Sequence, residues 1–150
     1  RTAQFFAQMK DRRIELDTIT YCEAIVVNGE CREWREALQL WVEMHLHRVD
    51  ADTITYTAAI GACANVSEWK QALQLLAEIT DRCVEANTIT YGALLSACQH
   101  AGEWLQAVQL WADMADRRID VHTQTYNAAM SACATGDAWV YALQLLVEMD

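Results

Sequence analysis

The sequence predicts an all-α protein in which helical hairpins of equal length stack into an α-solenoid. The first observation is a fixed period of 35 residues, at which a tyrosine and a tryptophan recur: Tyr21, Tyr56, Tyr91 and Tyr126; Trp34, Trp69, Trp104 and Trp139. The second observation is that apolar residues inside each copy follow helical spacing. A period of this length is typical of stacked repeats, in which each unit buries its apolar face against its neighbours.

The copy at residues 53–87 illustrates how each unit predicts two helices. Its first half places apolar side chains on one helical face, at Tyr56, Ala59, Ile60 and Cys63. Its second half begins near Ser67, a suitable helix-capping residue, and continues the same spacing through Trp69, Ala72, Leu73, Leu76 and Ile79. The break between the two halves predicts a helical hairpin.

The same alignment defines the domain organisation as one array over residues 1–150. Three complete repeats cover residues 18–52, 53–87 and 88–122, with partial repeats at 1–17 and 123–150. Met9 and Ile14 precede Met44 and Val49 by 35 residues, which places the first partial repeat in register. We therefore expect a fragment of a longer protein.

Three residue types recur at positions that indicate packing. Alanine stands at Ala37, Ala72, Ala107 and Ala142, where close approach of two helix backbones is expected. The recurring tryptophans are expected to be buried anchors. Cysteine recurs at Cys63, Cys98 and Cys133, and neighbouring repeats are too far apart for a disulfide or a shared metal. We interpret these cysteines as core residues.

The charge distribution bears directly on the possible function. The formal net charge is −10, whereas nucleic-acid-binding proteins normally carry a basic surface. The predicted first helices, within residues 18–29, 53–64, 88–99 and 123–134, contain Glu23 as their single charged residue. The acidic residues lie on second helices and connections, so we expect the negative charge to face outward.

No catalytic pair, metal-ligand set or phosphate-binding loop recurs in the sequence. We therefore predict a non-enzymatic binding module without cofactor, metal or small-molecule substrate. No apolar run is long enough to cross a membrane, and we expect no membrane partner.

The motifs of the repeat resemble those of the pentatricopeptide repeat family. They are a TY pair near the start, SAC in the first helix, a corner glycine at Gly102 or Gly136, and then ALQL and Met. The proline usual near the repeat's end is replaced by Ala51, Ala86 and Val121, and the corner glycine is missing from the first repeats. The resemblance implies a right-handed superhelix that binds single-stranded RNA, with about one nucleotide per repeat. It also implies a role in RNA processing, stability, editing or translation in a mitochondrion or plastid.

The resemblance also assigns candidate site residues. Base-reading pairs would be Cys22 with Asp52, Thr57 with Asn87, and Gly92 with His122, while Asn127 lacks its partner. Base-packing residues would be Ile19, Ile54, Ile89 and Gln124. The family associates the Thr57–Asn87 pair with adenine, and Asp52 leans towards guanine or uracil. Gly92 has no side chain to read with, so its repeat is interpreted as a possible spacer.

Alternatives to these assignments remain open. Asp17, Asp52 and Asn87 precede helix starts and are suitable N-caps. Lysines that the family places at the end of the first helix are replaced by Glu30, Asn65, His100 and Thr135, so weak RNA binding is expected. The alternative function is a scaffold whose concave surface binds a peptide or protein partner.

Overall fold

A computed structural model describes residues 17–66 and 68–136, together with Gln4, Gln8, Ala138, Val140 and Tyr141. These residues form seven α-helices: α1 (Thr18–Glu30), α2 (Trp34–Leu46), α3 (Thr53–Ala64), α4 (Trp69–Asp81), α5 (Thr88–Ala101), α6 (Trp104–Asp116) and α7 (Thr123–Thr135). Helices α1, α3, α5 and α7 are the first helices of four successive repeats, and α2, α4 and α6 are second helices. None of the described helices has the length and apolar character that a membrane crossing requires.

Most of the first helices begin with a side-chain cap. Asp17, Asp52 and Asn87 have extended backbones, and each side chain accepts the N–H of the threonine three residues later. These bonds satisfy N–H groups that have no partner inside the helix. A second hydrogen bond fixes the start of α1, α3 and α5. The hydroxyl of the first threonine of each helix donates to a backbone carbonyl at the end of the same repeat, that of Asp50, Glu85 and Asp120, respectively.

The three second helices α2, α4 and α6 end in the same backbone geometry, and a residue other than glycine occupies the left-handed position each time. Arg48, Cys83 and Arg118 each have φ between 54° and 56° and so lie in the left-handed region. The following residue donates its N–H to the carbonyl five residues earlier, as in Val49 to Met44 at 3.0 Å. This bond closes the helix end and makes the reversal to the next repeat reproducible.

The core runs along the array as a layer between first and second helices. The first helices pack against one another in sequence, and each second helix packs on its own first helix and on the next one. Buried residues recur at the same positions, including Tyr21, Tyr56, Tyr91, Ala37, Ala72 and Ala107, all with no exposed surface. The predicted all-α solenoid and the close-packing alanines are confirmed.

The expectation that the period-35 tryptophans pack as apolar anchors is confirmed for Trp34, Trp69 and Trp104, which lie against the core. They are half-buried, because each starts a second helix at the open corner between repeats. Trp104 lies against the end of α7, where a Cβ built on Gly136 would be 1.9 Å from its ring. The fully packed indoles are instead Trp41 and Trp111, 5% and 8% exposed, whose rings lie 4.4 Å from those of Tyr56 and Tyr126.

Three of the six cysteines have the buried environment that the sequence predicts for core residues. Cys63, Cys98 and Cys133 are buried, and burial raises the pKa of the Cys63 thiol to about 12 and that of Cys98 to about 11. All six cysteines are free thiols, and no cluster of metal-binding side chains occurs among the described residues. The buried thiols therefore act as small apolar side chains.

A hydrogen bond from the buried Tyr91 joins α5 to an acidic residue of its second helix, α6. The Tyr91 hydroxyl donates to Asp113, whose other oxygen accepts from Arg117 at 3.0 Å. One repeat earlier, burial and the neighbouring Glu78 raise the pKa of Tyr56 to about 12. Glu78 and Asp113 are half-buried in these contacts, which corrects the expectation that the acidic side chains simply face outward.

Several sequence predictions lie outside the described residues. They are the register of the partial repeat at residues 1–17 through Met9 and Ile14, the cap at Ser67, and Trp139 and Ala142 in the last partial repeat. Helix α4 begins at Trp69, and its N-cap residue Glu68 makes no side-chain capping bond.

Candidate nucleic-acid interface

Three isoleucines are exposed on the row of first helices. Ile19, Ile54 and Ile89 occupy the second position of α1, α3 and α5, and are 67%, 68% and 70% exposed. Gln124 is exposed at the equivalent position of α7. Large apolar side chains that are two-thirds exposed at one repeated position do not serve the core, so they mark this face as a candidate binding surface.

A buried threonine contacts both members of the predicted reading pair Thr57 and Asn87. Thr57 Oγ1 lies 2.8 Å from Thr90 Oγ1, and Thr90 Oγ1 donates to Asn87 Oδ1 at 3.0 Å. Thr90 is the third residue of α5 and has no exposed surface. A residue of one first helix is thus connected to the cap of the next.

The Cys22–Asp52 pair has the same arrangement around Thr55. Cys22 lies near the Thr55 side chain, and Thr55 donates its hydroxyl to Asp52 Oδ1 at 2.6 Å and its N–H at 2.8 Å. The bond from the Thr55 hydroxyl lowers the pKa of Asp52. Partial burial raises the pKa of the Cys22 thiol. At neutral pH the pair therefore presents a carboxylate beside a neutral thiol.

The Gly92–His122 pair meets at Thr125. The Thr125 hydroxyl donates to the His122 carbonyl at 2.6 Å and accepts the His122 N–H at 3.1 Å. A Cβ built on Gly92 would lie 3.8 Å from Thr125 Cγ2, an ordinary contact distance. The imidazole of His122 and the side chain of Asn127, on α7, are exposed.

The bridging threonines Thr55, Thr90 and Thr125 were missed in the sequence analysis. Their signal was present, since each is the third residue of a TIT or TQT triplet recurring every 35 residues. A β-branched polar residue with little or no exposure at this point has to be hydrogen-bonded, and its partners lie in the preceding repeat.

Asp52 and Asn87 are helix N-caps, as predicted. Each uses one polar atom of its side chain for the cap, so the other can bind a ligand. In both, Oδ1 accepts the bonds from the threonine three residues later. The second carboxylate oxygen of Asp52 and the amide Nδ2 of Asn87 are not used by the cap. Asp52 can therefore offer an acceptor to a ligand, and Asn87 a donor.

Two of the residues that replace the expected lysines contact the preceding repeat. Asn65 donates its Nδ2 to the Gly29 carbonyl at 3.2 Å, and His100 Nδ1 lies 3.3 Å from the Ala64 carbonyl. These contacts join the ends of successive first helices. The candidate surface consequently has no lysine or arginine on α1, α3, α5 or α7.

Comparison with protein families shows what this array of hairpins is. The PPR repeat family matches residues 51–100 and 86–135, which together span more than half of the chain. The chain belongs to the pentatricopeptide repeat family. Comparison with curated proteins finds no match.

Solved structures of repeat proteins have the same fold. The maize pentatricopeptide repeat protein PPR10 superposes with a TM-score of 0.81 at 24% identity, over 89% of this chain and 19% of the maize chain. Its complex with an 18-nucleotide psaJ RNA element matches with a TM-score of 0.78 at 24% identity, over 90% of this chain and 20% of that chain. The chain thus spans about a fifth of the maize protein.

A second relative in structure is the PPR domain of protein-only RNase P 1 from Arabidopsis thaliana, solved in complex with tRNA. Its TM-score is 0.84 at 12% identity, over 98% of this chain and 78% of that chain. At these identities the likeness shows the fold.

Proposed function

We propose that this chain binds single-stranded RNA along the row of first helices, with about one nucleotide facing each repeat. The observation that carries the proposal is the buried Thr90, which lies 2.8 Å from Thr57 of one first helix and is hydrogen-bonded to the Asn87 cap of the next. Thr55 and Thr125 form the corresponding bonds to Asp52 and His122. The solved complexes of maize PPR10 and of the Arabidopsis domain with RNA support it.

In this proposal the exposed isoleucines and Gln124 cover the faces of unstacked bases, while the bridged pairs meet the base edges. Sequence-specific RNA recognition generally uses unpaired bases in this way, because their edges are free and their faces can be packed against side chains. The pairs are Cys22 with Asp52, Thr57 with Asn87, and Gly92 with His122, and Asn127 would belong to the following base.

The chemistry of the Thr57–Asn87 pair is complementary to the edge of adenine. The Thr57 hydroxyl lies 2.7 Å from the Thr53 carbonyl and 2.8 Å from Thr90 Oγ1, and whichever of the two accepts its proton, at least one lone pair of Thr57 Oγ1 remains for a ligand. Asn87 offers its Nδ2 as a donor. On the Watson–Crick edge of adenine, the amino group can donate to Thr57 and the ring nitrogen can accept from Asn87. Cytosine presents the same pattern. The family resemblance favours adenine over cytosine.

By the same resemblance, the parent protein would act on transcripts in a mitochondrion or plastid, in their processing, stability, editing or translation. A protein-binding scaffold on the same concave surface is the competing function, and the experiment below separates the two.

The test is a titration of the 150-residue chain and of its Asn87→Asp variant with four uridine-rich single strands that differ at one nucleotide. The parent is expected to prefer adenine, by roughly 1–3 kcal/mol for a good directional contact. Asn87→Asp replaces the free donor with an acceptor, so the preference is expected to move to guanine. Fluorescence anisotropy at low salt gives the affinities.

Asn87→Asp is a well-matched variant because Asp52 already caps the preceding first helix in the same way. Circular dichroism should confirm that the variant folds. A duplex of the same sequences is the control and is expected to bind more weakly, since its base edges are paired. Equal affinity for all four strands by both proteins would refute base reading by this repeat and favour the scaffold.

A further inference from the structure

A cavity opens on the first-helix surface at the Gly92–His122 pair. Its volume is about 310 Å³, and it extends across α3, α5 and α7. Gly61 and Gly92 form part of its lining, with Ile89 and Gln124 at one end and His122 and Ser96 contributing polar atoms. The predicted spacer repeat thus coincides with a recess.

The absence of two side chains explains the position of this recess. One repeat earlier, Val26 and Thr57 stand where Gly61 and Gly92 stand here; one repeat later, the same places are taken by Ser96 and Asn127. A Cβ built on Gly61 would meet no atom within 4 Å, so the space beside that helix is open. The neighbouring repeats have side chains in the corresponding space.

The lining favours an uncharged, flat ligand. Apart from His122 it has no ionisable side chain, which argues against a phosphate as the group inside. Ile89 is 70% exposed beside it and can cover one face of a ring. The volume is at the lower end of the roughly 300–1,000 Å³ typical of small-ligand sites, a size that suits one heterocycle.

We propose that the repeat at 88–122 selects a purine, whose second ring enters this cavity, and that Gly61 and Gly92 determine this specificity. The inference rests on the proposed RNA binding. Because Gly61 and Gly92 provide no side chains, a base held beside Ile89 has the volume of this cavity open to it. A purine fills more of that volume, whereas a pyrimidine leaves an unfilled space and loses contacts.

Two variants each introduce into the cavity the side chain that stands at the equivalent position one repeat earlier. Gly61→Val reproduces Val26, and Gly92→Thr reproduces Thr57. Both positions have room for a Cβ, so both variants are expected to fold.

The experiment measures the affinity of the 150-residue chain for uridine-rich single strands. Each strand carries one fixed adenine, which the 53–87 repeat is proposed to bind. The nucleotide next to this adenine is varied, on its 5′ side in one set of strands and on its 3′ side in another. The parent is expected to prefer a purine at the varied position on the order of tenfold, and Gly61→Val to lose this preference while keeping the preference for the fixed adenine. In ¹⁵N-glycine spectra, which contain five glycines, the signals of Gly61 and Gly92 should shift with purine strands and that of Gly29 should not.

The outcomes separate this inference from the function it rests on. RNA binding that reads the fixed adenine, with equal affinities at the varied position, overturns the purine cavity and leaves the proposed function in place. A purine preference that survives in both Gly61→Val and Gly92→Thr also overturns it. No binding to any strand by the folded chain overturns both proposals.

Discussion

Two helical glycines, Gly29 in α1 and Gly61 in α3, occupy opposite environments. A Cβ built on Gly29 would lie 2.8 Å from Ala62 Cβ and 3.1 Å from Ala62 Cα, so α1 and α3 approach closely at this point. A Cβ on Gly61 would meet nothing within 4 Å. The first glycine is required by packing, whereas the second leaves open space.

Alanine substitution should therefore have opposite effects at these positions. Gly61→Ala is expected to stabilise the fold by about 0.5–1 kcal/mol, because alanine loses less entropy in a helix. Gly29→Ala is expected to destabilise it by roughly 1–3 kcal/mol, since the backbone of α3 has to move. Urea unfolding followed by circular dichroism compares the two. Stabilisation by Gly29→Ala would contradict the close approach.

The bridging threonines are the residues through which structure and proposed function are coupled. Thr90 is buried, bonds the Asn87 cap and also contacts Thr57 of the preceding first helix. A change at Thr90 would consequently alter helix capping and ligand geometry together. Asn87→Asp is the cleaner probe because it retains the cap.

Among the elements, α3 has a cap whose contribution depends on pH. The Thr55 hydroxyl lowers the pKa of Asp52 below its ordinary value of 3.8. A group whose pKa is lower in the folded state contributes stability above its unfolded pKa and loses that contribution as the pH falls through its folded pKa. The cap should therefore weaken below about pH 4.

Asp52→Asn tests this dependence, because asparagine caps α5 in the same protein without titrating. The free energy of unfolding of the parent should fall more steeply than that of the variant as the pH is lowered from 6 to 3. Asp52→Ala provides the reference for a lost cap, with an expected cost of about 0.5–2 kcal/mol at pH 6. Parallel pH profiles for parent and Asp52→Asn would show that this carboxylate is not the titrating group.

At the scale of the whole molecule, the net charge of −10 is separated from the candidate surface. The first helices are almost uncharged, and the acidic residues lie mainly on second helices and connections, where Glu78 and Asp113 are paired with arginines. RNA binding by this surface would thus depend on base contacts more than on phosphate contacts.

The salt dependence of RNA affinity should accordingly be shallow. Each phosphate neutralised on a single strand contributes roughly −0.7 to the slope of log K against log salt, and no lysine or arginine lies on the first helices. Glu30→Lys, at the position where family members place lysine, should raise the affinity and steepen the slope by about 0.7. Anisotropy titrations at several salt concentrations measure both slopes. A steep slope for the parent would contradict binding through the first helices.

Much of the architecture was available from the sequence by itself. The 35-residue period set the repeat boundaries, and the apolar spacing from Tyr56 to Cys63 predicted which face of α3 is buried. These features are local, because helical periodicity and repeat register are encoded within each copy. The same alignment placed Ile19, Ile54 and Ile89 at one repeated position before their exposure was known.

Only the tertiary structure showed how side chains of different repeats contact one another. The sequence did not distinguish half-buried Trp69 from buried Trp41, since that depends on how open the corner between repeats is. It did not reveal that Thr90 connects Thr57 with Asn87, or that Gly61 and Gly92 open one cavity whereas Gly29 permits close packing. Each outcome depends on the distance between helices from neighbouring repeats, which is fixed by the sizes of all the side chains packed between them.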